Sequence, residues 1–182
     1  DREGDDGLTR VKITPGRPVK SMLAQKVSSV EEGLHENGGR AAFEYKYDGM
    51  RTQIHKKGDK IWLFTRRLED VTKQFPDLVE LCKKSLKAEE CIVEGETIGI
   101  DPETKMPLPF QKLSQRIHRK YGIDDLIKKI PIQIHLFDIV YLDGKMLFDK
   151  PLHERRKILE KIVNVIPGKV QLSKQLITSN IQ

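Results

Sequence analysis

Gly58-Asp59 separates two runs that read as the strands of one hairpin. Ahead of it, Thr52-Gln53-Ile54-His55-Lys56 partly alternates apolar and polar residues. After it, Lys60-Ile61-Trp62-Leu63-Phe64-Thr65 supplies the aromatic and β-branched residues that suit a pleated surface. A Gly-Asp pair between such runs specifies a two-residue turn and an antiparallel pairing. Residues 42–47 read as a further strand just upstream, and an antiparallel meander is expected directly after residue 51. Residues 91–100 read as another strand, with Glu94, Glu96 and Ile98 on one face by period two. Residues 132–142 form a strong strand pattern that ends in the turn Asp143-Gly144, and residues 169–176 a final one. Helical spacing is expected over residues 30–36, 77–84 after Pro76, within 109–119, over 124–129 and over 151–163. Strands joined by hairpins, with helices between them, predict an α+β fold with antiparallel β-sheets flanked by helices.

With 182 residues the chain is long enough for a sizeable core in one or two domains. Residues 1–18 are polar, carry Gly and Pro and lack periodicity. They read as a linker or flexible N-terminal arm, with order beginning near Val19. A 37% hydrophobic and 33% charged composition describes a soluble globular chain with a heavily charged surface. The net charge of +6 favours a polyanionic partner such as nucleic acid, although it also serves solubility. Cys82 and Cys91 make no metal-ligand pattern and suit free thiols in a reducing compartment. No apolar run reaches membrane-spanning length and no signal peptide is visible, so an intracellular protein without a membrane partner is expected.

The segment Glu44-Tyr45-Lys46-Tyr47-Asp48-Gly49-Met50-Arg51 places a lysine where a strand should end. Such an amine can act as a nucleophile when desolvation or a second cation, here Arg51, favours its neutral form. Gly49 would leave room for a ligand beside the backbone. A hairpin carrying Lys46 and Arg51 on its wet face accounts for the same spacing. Three more places invite chemistry. Arg66, at the exit of a strand, suits a phosphate or sugar, and equally a plain surface charge. Glu94 and Glu96 suit Mg²⁺ or ribose hydroxyls, and equally a solvated face or an ion pair. Phe137 suits stacking on a base, and equally the core.

Lys46-Tyr47-Asp48-Gly49-Met50-Arg51 resembles the KxDGxR motif of covalent nucleotidyltransferases, namely ATP-dependent DNA ligases, RNA ligases and mRNA capping enzymes. Further segments resemble the DNA ligase branch in order and spacing. They are Ser21-Met22-Leu23-Ala24, Phe64-Thr65-Arg66, Glu94-Gly95-Glu96, Leu136-Phe137-Asp138-Ile139-Val140-Tyr141 and Pro151-Leu152-His153-Glu154-Arg155-Arg156. The resemblance runs from about residue 19 to the end and is closest to archaeal DNA ligases. It implies an ATP-grasp-like adenylation domain and a ligase that seals nicks in replication, repair and recombination. Lys46 would take AMP from ATP, and Glu44 would accept a hydrogen bond from the adenine amino group. Arg51 and Arg66 would hold ribose and phosphate, and Phe137 would stack on adenine. Glu96 would contact ribose or a metal-bound water, with Glu94 beside it as a further Mg²⁺ ligand.

The family's later EGxxxK-type and KxK-type motifs do not occur before Gln182. The expectation is therefore a partial adenylation domain over residues 19–182, lacking the OB and N-terminal DNA-binding domains. Alone it should not ligate, and it should self-adenylate feebly or not at all. For the parent, nicked duplex DNA, a sliding clamp and a monomeric state are implied, in the cytoplasm of an archaeon or a eukaryotic nucleus. An RNA ligase or capping-type enzyme is the alternative within this chemistry. A non-catalytic basic nucleic-acid-binding module is the alternative outside it.

Overall fold

A computed structural model describes residues 13–180. Residues 1–12 of the expected arm lie outside the described residues. Helix α1 (Val30–Glu36) is followed by β1 (Ala41–Glu44), β2 (Met50–Lys57) and β3 (Lys60–Thr65). A 3₁₀ turn (Thr72–Gln74) leads into α2 (Pro76–Ser85) and the long strand β4 (Glu90–Ile100). Then come β5 (Pro107–Leu108), α3 (Phe110–Ile117), α4 (Ile123–Lys129) and a second long strand, β6 (Ile132–Leu142). The chain closes with β7 (Lys145–Met146), α5 (Leu152–Ile162), β8 (Val170–Leu172) and β9 (Gln175–Thr178). The fold is α+β, as the hairpin pattern predicts. Gly58 takes the left-handed conformation that the tight β2–β3 turn demands, at φ +56°.

The main sheet runs β3-β2-β4-β6-β7, with β5 on β4 and β8 on β6. One face carries the apolar core. Ile54 of β2, Leu63 of β3, Val93 of β4 and Ile134 and Leu136 of β6 pack with Phe75, Leu78, Leu113 and Leu159 from the helical side. All of these are essentially inaccessible to water. The opposite face of β2, β4 and β6 bears polar residues, since side chains alternate along each strand.

Three sequence expectations change. The strand expected over residues 42–47 ends at Glu44, which leaves Lys46 in the following loop. The strand expected over 169–176 is two strands. β8 lies parallel to β6, and β9 leaves the main sheet to pair antiparallel with β1, Ala41 opposite Thr178 and Glu44 opposite Gln175. Part of the expected arm is docked: the Gly16 amide donates to His55 Nδ1 at 3.0 Å, and Ile13 packs beside Ile92, Val140 and Tyr141.

Candidate active site

The cross-strand register brings the candidate residues together. Arg51 of β2 stands opposite Glu96 of β4, and Gln53 stands opposite Glu94. Lys46 reaches the same place from the loop after β1, and Arg66 from the residue after β3. Lys46, Arg51, Arg66 and Glu96 line one cleft of about 670 Å³, walled by Met22, Leu23 and Ala24 on one side and by residues of α3 on the other. That volume lies within the few hundred to roughly 1,000 Å³ typical of small-ligand sites.

The two acids divide their work. Glu94 is 5% exposed and fully engaged: one oxygen accepts from Gln53 Nε2 at 2.9 Å and the other pairs with Arg51 Nη2. Glu96 faces the cleft. Burial pushes its pKa up to about 7, while Lys46, Arg51 and the Gly49 amide favour its charged form. The folded protein thus holds this proton more tightly than the unfolded chain does. Ionising Glu96 costs stability, and the cost enters as pH rises from the ordinary value of 4.5 through about 7. Glu96→Gln is expected to raise the melting temperature at pH 8 by a few degrees and to leave it nearly unchanged below pH 4.5. Calorimetry at the two pH values checks this.

Arg51 also lies over Phe137, its guanidinium carbon 5.4 Å from the ring centroid. Its Nε is buried without a hydrogen-bond partner. Phe137 is half-exposed rather than a core residue. Strand alternation puts it on the face opposite Leu136, and a slip in the β4–β6 register between Glu94/Asp138 and Gly95/Leu136 leaves it without a partner in the ladder. Phe137 does not line the cleft itself. Glu44 also lies apart: it accepts from Gln175 Nε2 at 3.1 Å and lines a neighbouring groove with Lys174 and Leu176.

Gly49 does not keep space for a ligand. A Cβ there would stand 2.3 Å from the Thr97 carbonyl oxygen and 2.9 Å from Ile98 Cγ2, so the missing side chain lets the lysine loop lie against β4. Gly49→Ala is expected to cost about 1–3 kcal/mol through overpacking. It should also slow any reaction of Lys46, which denaturant titration and a labelling assay would register together.

Five residues of this region were given no role by the sequence reading. Asp48 Oδ2 accepts from the Phe110 amide at 3.1 Å and so caps α3, whose own N-cap is a proline without a side-chain acceptor. Tyr47 stacks on His135 at 3.9 Å between ring centroids, and both nitrogens of that buried imidazole lack hydrogen-bond partners. Counting by two from Phe137 would have put His135 on the same face. Gln53 and His55 form a buried polar chain under the cleft, with His55 kept neutral by burial, its pKa pushed down to about 4.

A sheet carrying a lysine loop, two cleft-facing arginines and an acidic strand defines a nucleotidyltransferase-type adenylation domain. The ligase domain of M. tuberculosis LigD shares this fold, with a TM-score of 0.53 at 22% identity over 75% of this chain and 40% of that one. A mycobacterial DNA ligase D complexed with ATP gives a TM-score of 0.52 at the same identity and coverage. Residues 21–182 match the ATP dependent DNA ligase domain, and the chain belongs to that family. It is 51% identical to the DNA ligase of Nanoarchaeum equitans over 94% of its own length and 30% of that protein. It is 48% identical to the DNA ligase of Methanopyrus kandleri over 98% of its length and 32% of that protein. The chain therefore spans about a third of the length of these curated relatives. Among the described residues, no helix is long and apolar enough to cross a membrane.

Proposed function

We propose that this chain is the AMP-accepting part of an ATP-dependent DNA ligase. The observation that carries the reading is the convergence of Lys46 from the β1–β2 loop, Arg51 from β2, Arg66 from the end of β3 and Glu96 from β4 on one nucleotide-sized cleft. Lys46 Nζ, deprotonated, forms a bond to the α-phosphorus of ATP as the bond to the bridging oxygen breaks and pyrophosphate departs. An oxygen of a 5′-phosphate at a nick then attacks the adenylyl phosphorus and returns the amine. The 3′-hydroxyl finally displaces AMP and closes the strand. Arg51 and Arg66 offer planar donors to phosphate and ribose. Phe137 offers its ring to the adenine. Glu44 would exchange the Gln175 amide for the adenine amino group, a partner that guanine cannot supply.

Among the described residues no group of three or more acidic, histidine or cysteine side chains could enclose a metal ion. Glu96 is the one of the two strand acids left free of a hydrogen-bonded cation, so the site fits Mg²⁺ held jointly with substrate phosphates rather than by a protein cage. When bound there, Mg²⁺ would neutralise charge on the departing pyrophosphate. Nicked duplex DNA, a sliding-clamp partner, a monomeric parent and an intracellular location follow from the same reading.

The test is incubation of the full-length protein carrying this chain with α-labelled ATP or GTP, then denaturing electrophoresis and peptide mapping. Label from ATP on the peptide containing Lys46 supports the proposal. Label from GTP alone, or at another residue, overturns it.

A further inference from the structure

We infer that Gln53 is a positioning residue that couples the seating of residues 16–24 to the setting of Arg51. This rests on the functional reading above. The Gln53 side chain is 5% exposed and uses its full hydrogen-bonding capacity. Its oxygen accepts from the Val19 amide at 2.8 Å and from His55 Nε2 at 2.8 Å. Its nitrogen donates to the Val19 carbonyl at 3.1 Å and to Glu94 Oε1 at 2.9 Å. His55 Nδ1 accepts from Gly16, so the proton sits on Nε2 and the direction of the chain is fixed. Glu94, held on one oxygen by Gln53, presents the other to Arg51.

The chain of contacts is therefore continuous from the incoming backbone at Gly16 and Val19, through one amide, to a guanidinium in the cleft. It also has a second end in the cleft. Val19 is gripped on both its N–H and its C=O, as a strand partner would grip it. Three to five residues later the same segment has placed Met22, Leu23 and Ala24 along the cleft wall, with Met22 91% and Leu23 78% exposed. Gln53 thus sets both the path of that wall and the position of the arginine facing it. A carboxylate lacks the donors for Val19 and Glu94, and an apolar side chain leaves four partly or fully buried groups unpaired.

The test is a double-mutant cycle in the full-length protein, reading lysine-AMP formation from α-labelled ATP. Gln53→Met is expected to lower kcat/KM roughly tenfold or more, as displaced binding groups do. In an Arg51→Ala background the same change should cost several-fold less, since the guanidinium it positions is gone and only its effect on the wall remains. Equal losses in both backgrounds overturn the inference, because a merely structural role would act regardless of Arg51. Should Gln53→Met lose its cooperative melting transition, Val19→Pro serves instead, as it removes only the amide donor at the edge. It is expected to speed proteolysis at Lys20 and to lower labelling only while Arg51 is present. Faster proteolysis with labelling at the parental level overturns the coupling. Absence of any label from ATP on the parental protein brings down the functional reading and this inference with it. Label at Lys46 with an additive cycle brings down this inference alone.

Discussion

Lys46→Arg is expected to abolish covalent AMP capture, by at least about 10⁴-fold, as loss of a covalent nucleophile does. The arginine variant is the informative one. It keeps a positive charge opposite Glu96, so electrostatics in the cleft change little. A guanidinium, however, does not release a proton in proteins and offers no lone pair for attack. ATP binding should survive while the label disappears. A nick supplied already adenylated should be sealed far better than one that is not, because only the first transfer needs the amine. The measurement is the ratio of the two sealing rates for parent and variant. An unchanged ratio would show that Lys46 contributes charge alone.

Arg116→Met is the second large effect, and it falls on stability. Arg116 is 1% exposed in the core, an uncommon place for a cation. Its guanidinium donates to both oxygens of Asp77, at 2.5 and 3.0 Å, to the Ile130 carbonyl at 3.1 Å and to the Gln74 carbonyl at 3.2 Å. It also lies 4.5 Å from the centroid of the Phe75 ring. One side chain thus ties α3 to α2, to the 3₁₀ turn and to the end of α4. Removing it strands Asp77 and two carbonyls, at a cost of about 3–5 kcal/mol, or roughly 10 °C in melting temperature for a domain of this size. Pairing it with Asp77→Leu should recover at least half of the loss, since an apolar pair can replace a buried ion pair. Denaturant titration of the single and double variants decides the matter. The effect reaches the site, because α3 also walls the cleft.

What the sequence made legible was local. The β2–β3 hairpin, α2 after Pro76 and β6 ahead of Asp143-Gly144 all lie close to where turn chemistry and periodicity put them. The lysine motif was legible as a family signature because its residues are contiguous and its companions recur in order. What was not legible depends on distant partners. Nothing near Ser173 says that β9 will abandon the main sheet for β1. Nothing near Phe137 says that a register slip will leave it without a ladder partner. Gly49 looked like a space for ligand because the Thr97 carbonyl that fills that space lies far along the chain. Glu94 and Glu96 looked equivalent by period, and only the placement of Gln53 and Arg51 separates a structural clamp from a cleft-facing acid.

The small β1–β9 sheet has a consequence for biogenesis. Glu44 and Gln175, joined across it, are 131 positions apart. A ribosome must therefore deliver nearly all of these residues before the base beneath Lys46 can be fastened, and long-range pairings of this kind form slowly. Lys46 is thus anchored only on a chain whose main sheet has already been synthesised. A nascent protein halted partway would carry the lysine motif without its anchorage.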